Sequence, residues 1–172
     1  GSEMCIRDSD LLIADFINFS VILLIGFSLK RLSETISYLA IFVGLRSVCG
    51  GYHAKTHLKC HICTIGAYIV FLLLQYMFKT CTVVILGISC IMSIPIILFA
   101  PITHANKPLS VSAYRRNRAA SIIITIGLLL LAFLLYRYGR QESLVISLTL
   151  WIVSLCMIPV SYTHLTLPTN SR

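Results

Sequence analysis

The stretch that decides the fold is residues 119–136, AASIIITIGLLLLAFLLY, which contains no charged side chain. A helix that spans a bilayer needs about 20 mostly apolar residues. Basic side chains flank this run, with Arg118 directly before it and Arg137 directly after it. Because Lys and Arg mark the ends and loops of membrane spans, this stretch predicts a transmembrane helix.

The composition of the whole chain agrees with that prediction. The 172 residues are 58% hydrophobic and 12% charged, with a mean hydropathy of +0.91. Soluble domains average about 25% charged residues, so a soluble globular domain and a disordered chain are both excluded. The net charge of +8 does not indicate a nucleic-acid partner, since the basic residues sit in short clusters between apolar runs.

Five further apolar segments extend the pattern in both directions along the chain. Segment 36–48 is the weak one, because it is too short to cross a bilayer unless flanking residues help. We predict an all-α, polytopic integral membrane protein with about six transmembrane or membrane-embedded helices in a single domain, 10–160. The five segments are 11–29, 36–48, 62–78, 81–100 and 143–159.

The two ends differ in composition from their neighbours. Residues 1–9 and 161–172 resemble translated sequencing-adapter read-through, and we expect them to be non-native tails. Ordinary polar tails are the alternative. If the tails are non-native, we expect the natural protein to extend beyond this chain at one or both ends.

The basic residues predict an orientation in the membrane. If all six segments cross, the connections between segments two and three and between four and five share one side. Positive-inside counting places that side in the cytoplasm. It holds Arg46, Lys55, Lys59, Lys107, Arg115, Arg116 and Arg118, and the opposite side holds Lys30, Arg31, Lys79, Arg137 and Arg140.

A polar cluster at residues 44–63 holds three of the five histidines and three cysteines. Such groups are costly beside lipid, so the cluster indicates function. In one interpretation Cys60 is a thiol nucleophile activated by neighbouring imidazole and ammonium groups. In a second it is a zinc site, although no familiar ligand spacing occurs. In a third it is an interfacial loop that faces headgroups. The zinc ligands would come from His53, His57, Cys60, His61 and Cys63, and Lys55 and Lys59 add charge beside the thiol.

Helix geometry limits which base can serve Cys60. His53 lies seven residues earlier, about 10.5 Å away along a straight helix, whereas a thiol–imidazole hydrogen bond needs about 3 Å. The backbone must therefore turn between them, or a substrate must draw them together. Gly50 and Gly51 make a break upstream easy. His57 would be the better base if the stretch were helical throughout.

Two motifs in this chain resemble those of the accessory gene regulator B (AgrB) family. Arg46, Gly51, His53 and Cys60 form the pattern R-x4-G-x-H-x6-C within LRSVCGGYHAKTHLKC, and residues 100–109 read A-P-x(4)-N-K-P-L. The resemblance covers about residues 10–160. It implies a membrane cysteine endopeptidase of Gram-positive quorum sensing, with Cys60 as nucleophile, His53 as base, and Arg46 and Gly51 in supporting roles.

The resemblance also implies a substrate. The family removes the acidic C-terminal tail of a precursor peptide, which has an amphipathic helix, and promotes its cyclisation to a thiolactone signal. It further implies a homodimer in the cell membrane, with no nucleic acid, cofactor or metal. A basic group would then attract the acidic tail, although topology and anionic lipid explain the same residues equally well. That group is Lys107, Arg115, Arg116 and Arg118.

Overall fold

A computed structural model describes residues 16–49, 57–101 and 110–166, with side chains described over 16–49, 61–101 and 110–157. Within these ranges every regular element is a helix, which confirms the all-α prediction. The helices are α1 (Phe16–Ser28), α2 (Leu32–Cys49), α3 (His57–Phe78), α4 (Thr82–Met92), α5 (Ile94–Phe99), α6 (Val111–Arg137) and α7 (Glu142–Thr166).

Four helical stretches are long and apolar enough to cross a membrane. They are Leu32–Cys49, His61–Phe78, Thr82–Phe99 and Val111–Arg137, while Phe16–Ser28 and Glu142–Met157 are shorter apolar helices. The first of the four contains the weak segment 36–48. Because α2 begins at Leu32, its polar first turn extends that segment to 18 residues, which is long enough to span.

Two boundaries differ from those predicted. The apolar segment 81–100 is divided into α4 and α5 at Ser93, because Pro95 has no N–H to continue the helical hydrogen bonding. Helix α6 begins at Val111, where the side chain of Ser110 accepts a hydrogen bond from the amide of Ala113. The arginines at 115, 116 and 118 therefore lie on α6, and not in the connection before it.

Helix α7 is the centre of the bundle. It packs against α2, α3, α4, α5 and α6, and every side chain from Ser143 to Leu150 is buried. A helix that is buried all round needs neighbours on every side. The small residues Ser143 and Ser147 allow those neighbours to approach closely, as in other membrane bundles.

The outer faces of the bundle are apolar. Large side chains such as Tyr76 (78% exposed), Leu73 (58%) and Ile123 (69%) point away from the core. Water-soluble monomers rarely expose so much contiguous apolar surface. The outward faces therefore suit lipid, and the bundle is that of a multi-pass membrane protein. The prediction of one domain over 10–160 with non-native tails stays a prediction.

Candidate functional site

The predicted site residues that the structure describes, Arg46, the Cys60 backbone and the arginines at 115, 116 and 118, lie at one end of the bundle. Arg46 lies in the last turn of α2, and the backbone of Cys60 lies in the first turn of α3. His53, Gly51 and Lys107 lie outside the described residues, as does the side chain of Cys60. The contacts of the proposed Cys60–His53 pair are therefore still a prediction.

Helices α2 and α3 run antiparallel, which sets the level of each residue. In the middle of α2 the Tyr38 ring lies 5.3 Å from that of Tyr68 between centroids. At the start of α2 the amide of Gln75 donates to Glu34 at 2.7 Å. Moving up α2 therefore means moving down α3.

Extending this register places the end of α2 beside the start of α3. Both helices rise about 1.5 Å per residue, so each step from Tyr38 towards Arg46 matches one step from Tyr68 towards residues 60–63. Arg46 and the backbone of Cys60 therefore lie at similar depth. The antiparallel arrangement thus gives Arg46 and the Cys60 backbone a common depth, which sequence spacing did not show.

The C-terminal half of α7 also reaches this end. Cys156 interacts electrostatically with Arg46 on α2 and with Cys63 on α3. The guanidinium of Arg46 lies 5.8 Å from the centroid of the Phe42 ring, a cation–π distance. The site is thus formed where three helices meet, with Arg46 directed back along the buried face of α2.

Helix α1 contributes a polar contact that the sequence analysis missed. Asn18 is 1% exposed, and its Oδ1 lies 2.7 Å from Nδ1 of His61, the residue after Cys60. A polar residue inside the apolar segment 11–29 was the available signal, because amides buried in a membrane helix require a partner.

The two ends of the bundle differ in charge. The acids on the described side chains are Glu34 and Glu142, both at the end opposite the site. Glu34 lies 3.6 Å from Arg31, and Glu142 lies 2.9 Å from Arg140. Over the described side chains the site end carries cations alone, from Arg46 and the start of α6. This end therefore favours an anionic partner.

Arg118, one of the four predicted substrate-binding cations, forms hydrogen bonds to the backbone. Its Nη1 donates to the carbonyl oxygens of Leu98 at 2.8 Å and Ala100 at 2.6 Å. Leu98 lies in the last turn of α5 and Ala100 is its C-cap residue, where helical acceptors have no partner within the helix. Arg115 and Arg116 are exposed. Substrate binding by any of them stays a prediction.

Replacing Arg118 with alanine is expected to destabilise the protein by about 1.5–3 kcal/mol, because hydrogen bonds from a charged donor contribute about that much. The measurement is the free energy of unfolding in mixed micelles. Arg115→Ala on the same helix is the control and should change it by less than about 0.5 kcal/mol. Equal losses in both variants would contradict a structural role specific to Arg118.

The described side chains do not settle the zinc interpretation. Among them, no group of three His, Cys, Asp or Glu side chains converges on one point. Three of the five predicted ligands, His53, His57 and Cys60, lie outside that part of the chain. Within it the cysteines are free thiols, namely Cys49, Cys63, Cys81, Cys90 and Cys156.

The fold and site together define a class: a helical, multi-pass membrane protein with a cationic polar site at one end of the bundle. The family model for accessory gene regulator B matches residues 9–158. The chain therefore belongs to the accessory gene regulator B family, as its two motifs predicted, and is a membrane protein of quorum sensing.

Two relatives illustrate the membership. An AgrB-like protein of Clostridium acetobutylicum is 28% identical over 153 residues, covering 86% of this chain and 71% of the relative. Accessory gene regulator protein B of Staphylococcus haemolyticus is 25% identical over 146 residues, covering 85% of this chain and 74% of the relative. No solved structure matches the chain.

Proposed function

We propose that this protein is a membrane cysteine endopeptidase that releases the acidic C-terminal tail of a precursor peptide and promotes its cyclisation to a thiolactone. Cys60 is the nucleophile, His53 is its base, and Arg46 and Gly51 support them. The observation that carries the proposal is the antiparallel register of α2 and α3, which brings Arg46 to about the same depth as the Cys60 backbone.

The charge at the site supports an acidic substrate. Among the described side chains the two ion pairs, Arg31–Glu34 and Arg140–Glu142, lie at the far end of the bundle. Arg46 is suited to bind a carboxylate of the tail, since its planar guanidinium can form two parallel hydrogen bonds. Arg115 and Arg116 on the exposed start of α6 attract the same charge.

The mechanism follows from the assigned roles. His53 takes the proton of the Cys60 thiol, and the thiolate attacks the carbonyl before the acidic tail. The tail leaves with the proton from His53, and a thioester to Cys60 remains. The internal thiol of the precursor then attacks this thioester and closes the ring. Exclusion of water by the membrane boundary protects the thioester from hydrolysis.

The proposal also includes the side of the membrane where the reaction takes place and the oligomeric state of the enzyme. The amphipathic helix of the precursor lies in the bilayer surface, and its tail reaches the cytoplasmic side, where basic residues are more numerous. The working unit is a homodimer in the cell membrane. Gly51 permits the turn that brings His53 towards Cys60.

The direct test is to trap the thioester. Purified protein in liposomes is mixed with a cognate precursor, and its peptides are mapped by mass spectrometry. We expect a hydroxylamine-labile adduct on Cys60 that carries the precursor without its tail. Cys90→Ser, which removes a thiol from α4, should give the same adduct. Tail release with no adduct on Cys60 would overturn the proposal.

The same preparation decides the metal alternative. The zinc interpretation requires one metal ion per chain, held by several residues of 53–63. Under the peptidase proposal the adduct forms at full yield after dialysis against a chelator. Stoichiometric zinc together with loss of the adduct after chelation would favour the metal-binding alternative.

A further inference from the structure

We propose that His61, positioned by Asn18, is a second general base, which serves the ring-closing step. His61 accepts the proton of the precursor's internal thiol, and Asn18 positions its imidazole. This inference rests on the proposed function, and it assigns to His61 a role that the motif residues do not cover.

The first observation is the environment of Asn18. Its side chain is 1% exposed on an apolar helix, and leaving its carboxamide oxygen unpaired there would cost about 1–3 kcal/mol. The Oδ1 atom lies 2.7 Å from His61 Nδ1. The buried amide of Asn18 on α1 is thus hydrogen-bonded to the imidazole of His61 on α3.

The second observation is the tautomer that this bond selects. A carboxamide oxygen only accepts hydrogen bonds, so Nδ1 of His61 must carry the hydrogen. In the neutral imidazole Nε2 then holds a lone pair and can act as a base. Among the described side chains, no hydrogen bond to Nε2 is formed. The Asn18–His61 bond therefore orients the imidazole and leaves Nε2 without a partner among the described side chains.

The third observation is position. His61 directly follows Cys60 in the first two turns of α3, so their backbones are separated by a rise of about 1.5 Å and a turn of about 100°. Because neighbouring side chains on a helix do not face each other, the proposal requires the internal thiol of a precursor bound to Cys60 to reach about 100° around α3 to His61. The described titratable groups that share this end are Arg46 and Cys49 on α2, Cys63 on α3, Cys156 on α7, and Tyr114, Arg115, Arg116 and Arg118 on α6.

The chemistry of ring closure needs such a base. A free thiol has a pKa of about 8.5 and is mostly protonated at neutral pH. The thiol proton of the precursor moves to Nε2 of His61, and the thiolate forms a new carbon–sulfur bond at the thioester carbonyl. The bond from that carbonyl to Cys60 Sγ breaks, and the proton returns from His61 to Cys60. No oxidant or further reactant is required.

The test measures the two steps separately. In liposomes with a cognate precursor, His61→Ala should release tail in the first turnover within about 2-fold of the wild-type rate. Thiolactone should form at least about 10-fold more slowly, given that general bases contribute about 10²–10⁴-fold. The acyl-enzyme should accumulate, and raising the pH towards 9 should restore ring closure. Ile62→Ala, an exposed neighbour, is the control for the helix.

Asn18→Asp distinguishes a positioning role from a structural one. A carboxylate at this site would hold the imidazole of His61 in its protonated form, so the pH profile of ring closure should move to higher pH while that of tail release stays in place. If His61→Ala does not fold, Asn18→Asp alone tests whether His61 acts as the base in ring closure.

Two results would overturn the inference. One is an unchanged ratio of thiolactone to released tail in His61→Ala together with an unmoved profile in Asn18→Asp. The other is an equal loss of both steps in folded His61→Ala. Failure of the proposed function would look different, since the wild-type protein itself would then form no adduct on Cys60.

Discussion

Cys60→Ala is expected to release no tail peptide, and His53→Ala is expected to release it about 10²–10⁴-fold more slowly than the wild-type protein. Alanine has no nucleophile, so the thioester cannot form. Without His53 the thiol remains, but only its small thiolate fraction can react. The measurement is the rate of tail release from a cognate precursor in liposomes or in a co-expressing cell.

The pH dependence separates these two losses. In His53→Ala the rate should rise about tenfold per pH unit up to about pH 8.5, because the thiolate then forms without a base. Cys60→Ala should stay inactive at every pH. Cys90→Ser should match the wild-type protein. Cleavage by Cys60→Ala would refute the assignment, and loss of cleavage in Cys63→Ser alone would move it to Cys63.

Leu148→Ala is expected to lower the free energy of unfolding by about 2–5 kcal/mol, the usual cost of a cavity in a packed core. Leu148 is 0% exposed and lies on α7, which contacts five other helices. Its neighbours are therefore held from several sides and cannot collapse into the space. The measurement is unfolding in mixed micelles, followed by circular dichroism.

The matched control is Leu130→Ala on α6. Leu130 is 61% exposed, so lipid or detergent can fill the space that the smaller side chain leaves. We expect a loss of about 1 kcal/mol or less. Equal losses at both positions would mean that α7 is not the packing centre of the bundle.

The sequence predicted the class of fold from simple physical causes. Uncharged runs such as 119–136 can satisfy their backbone polar groups only as helices in lipid, and α6 contains this run. Boundaries were less accurate where local signals compete. Ser110 caps α6 well before the apolar run begins, and Pro95 divides a segment whose hydropathy is continuous.

The site was predictable in its residue types but not in its surroundings. The motif around Arg46 and Cys60 is local in the chain, and membership of the family agrees with it. Three features depend on other helices: the Asn18–His61 contact, the role of Arg118 as a partner for the end of α5, and the approach of Cys156. No spacing in the sequence joins these residues.

The sequence by itself therefore determined that this protein is a helical membrane bundle with a thiol–imidazole motif, because hydropathy and short motifs are local properties. Only the tertiary structure decided that α7 fills the centre, since apolar segments that face protein and lipid have similar composition. The tertiary structure alone also decided which helices surround the candidate site. The antiparallel arrangement of α2 and α3 places Arg46 at the depth of the start of α3, and that depth is set by side-chain contacts such as Tyr38–Tyr68 and Glu34–Gln75.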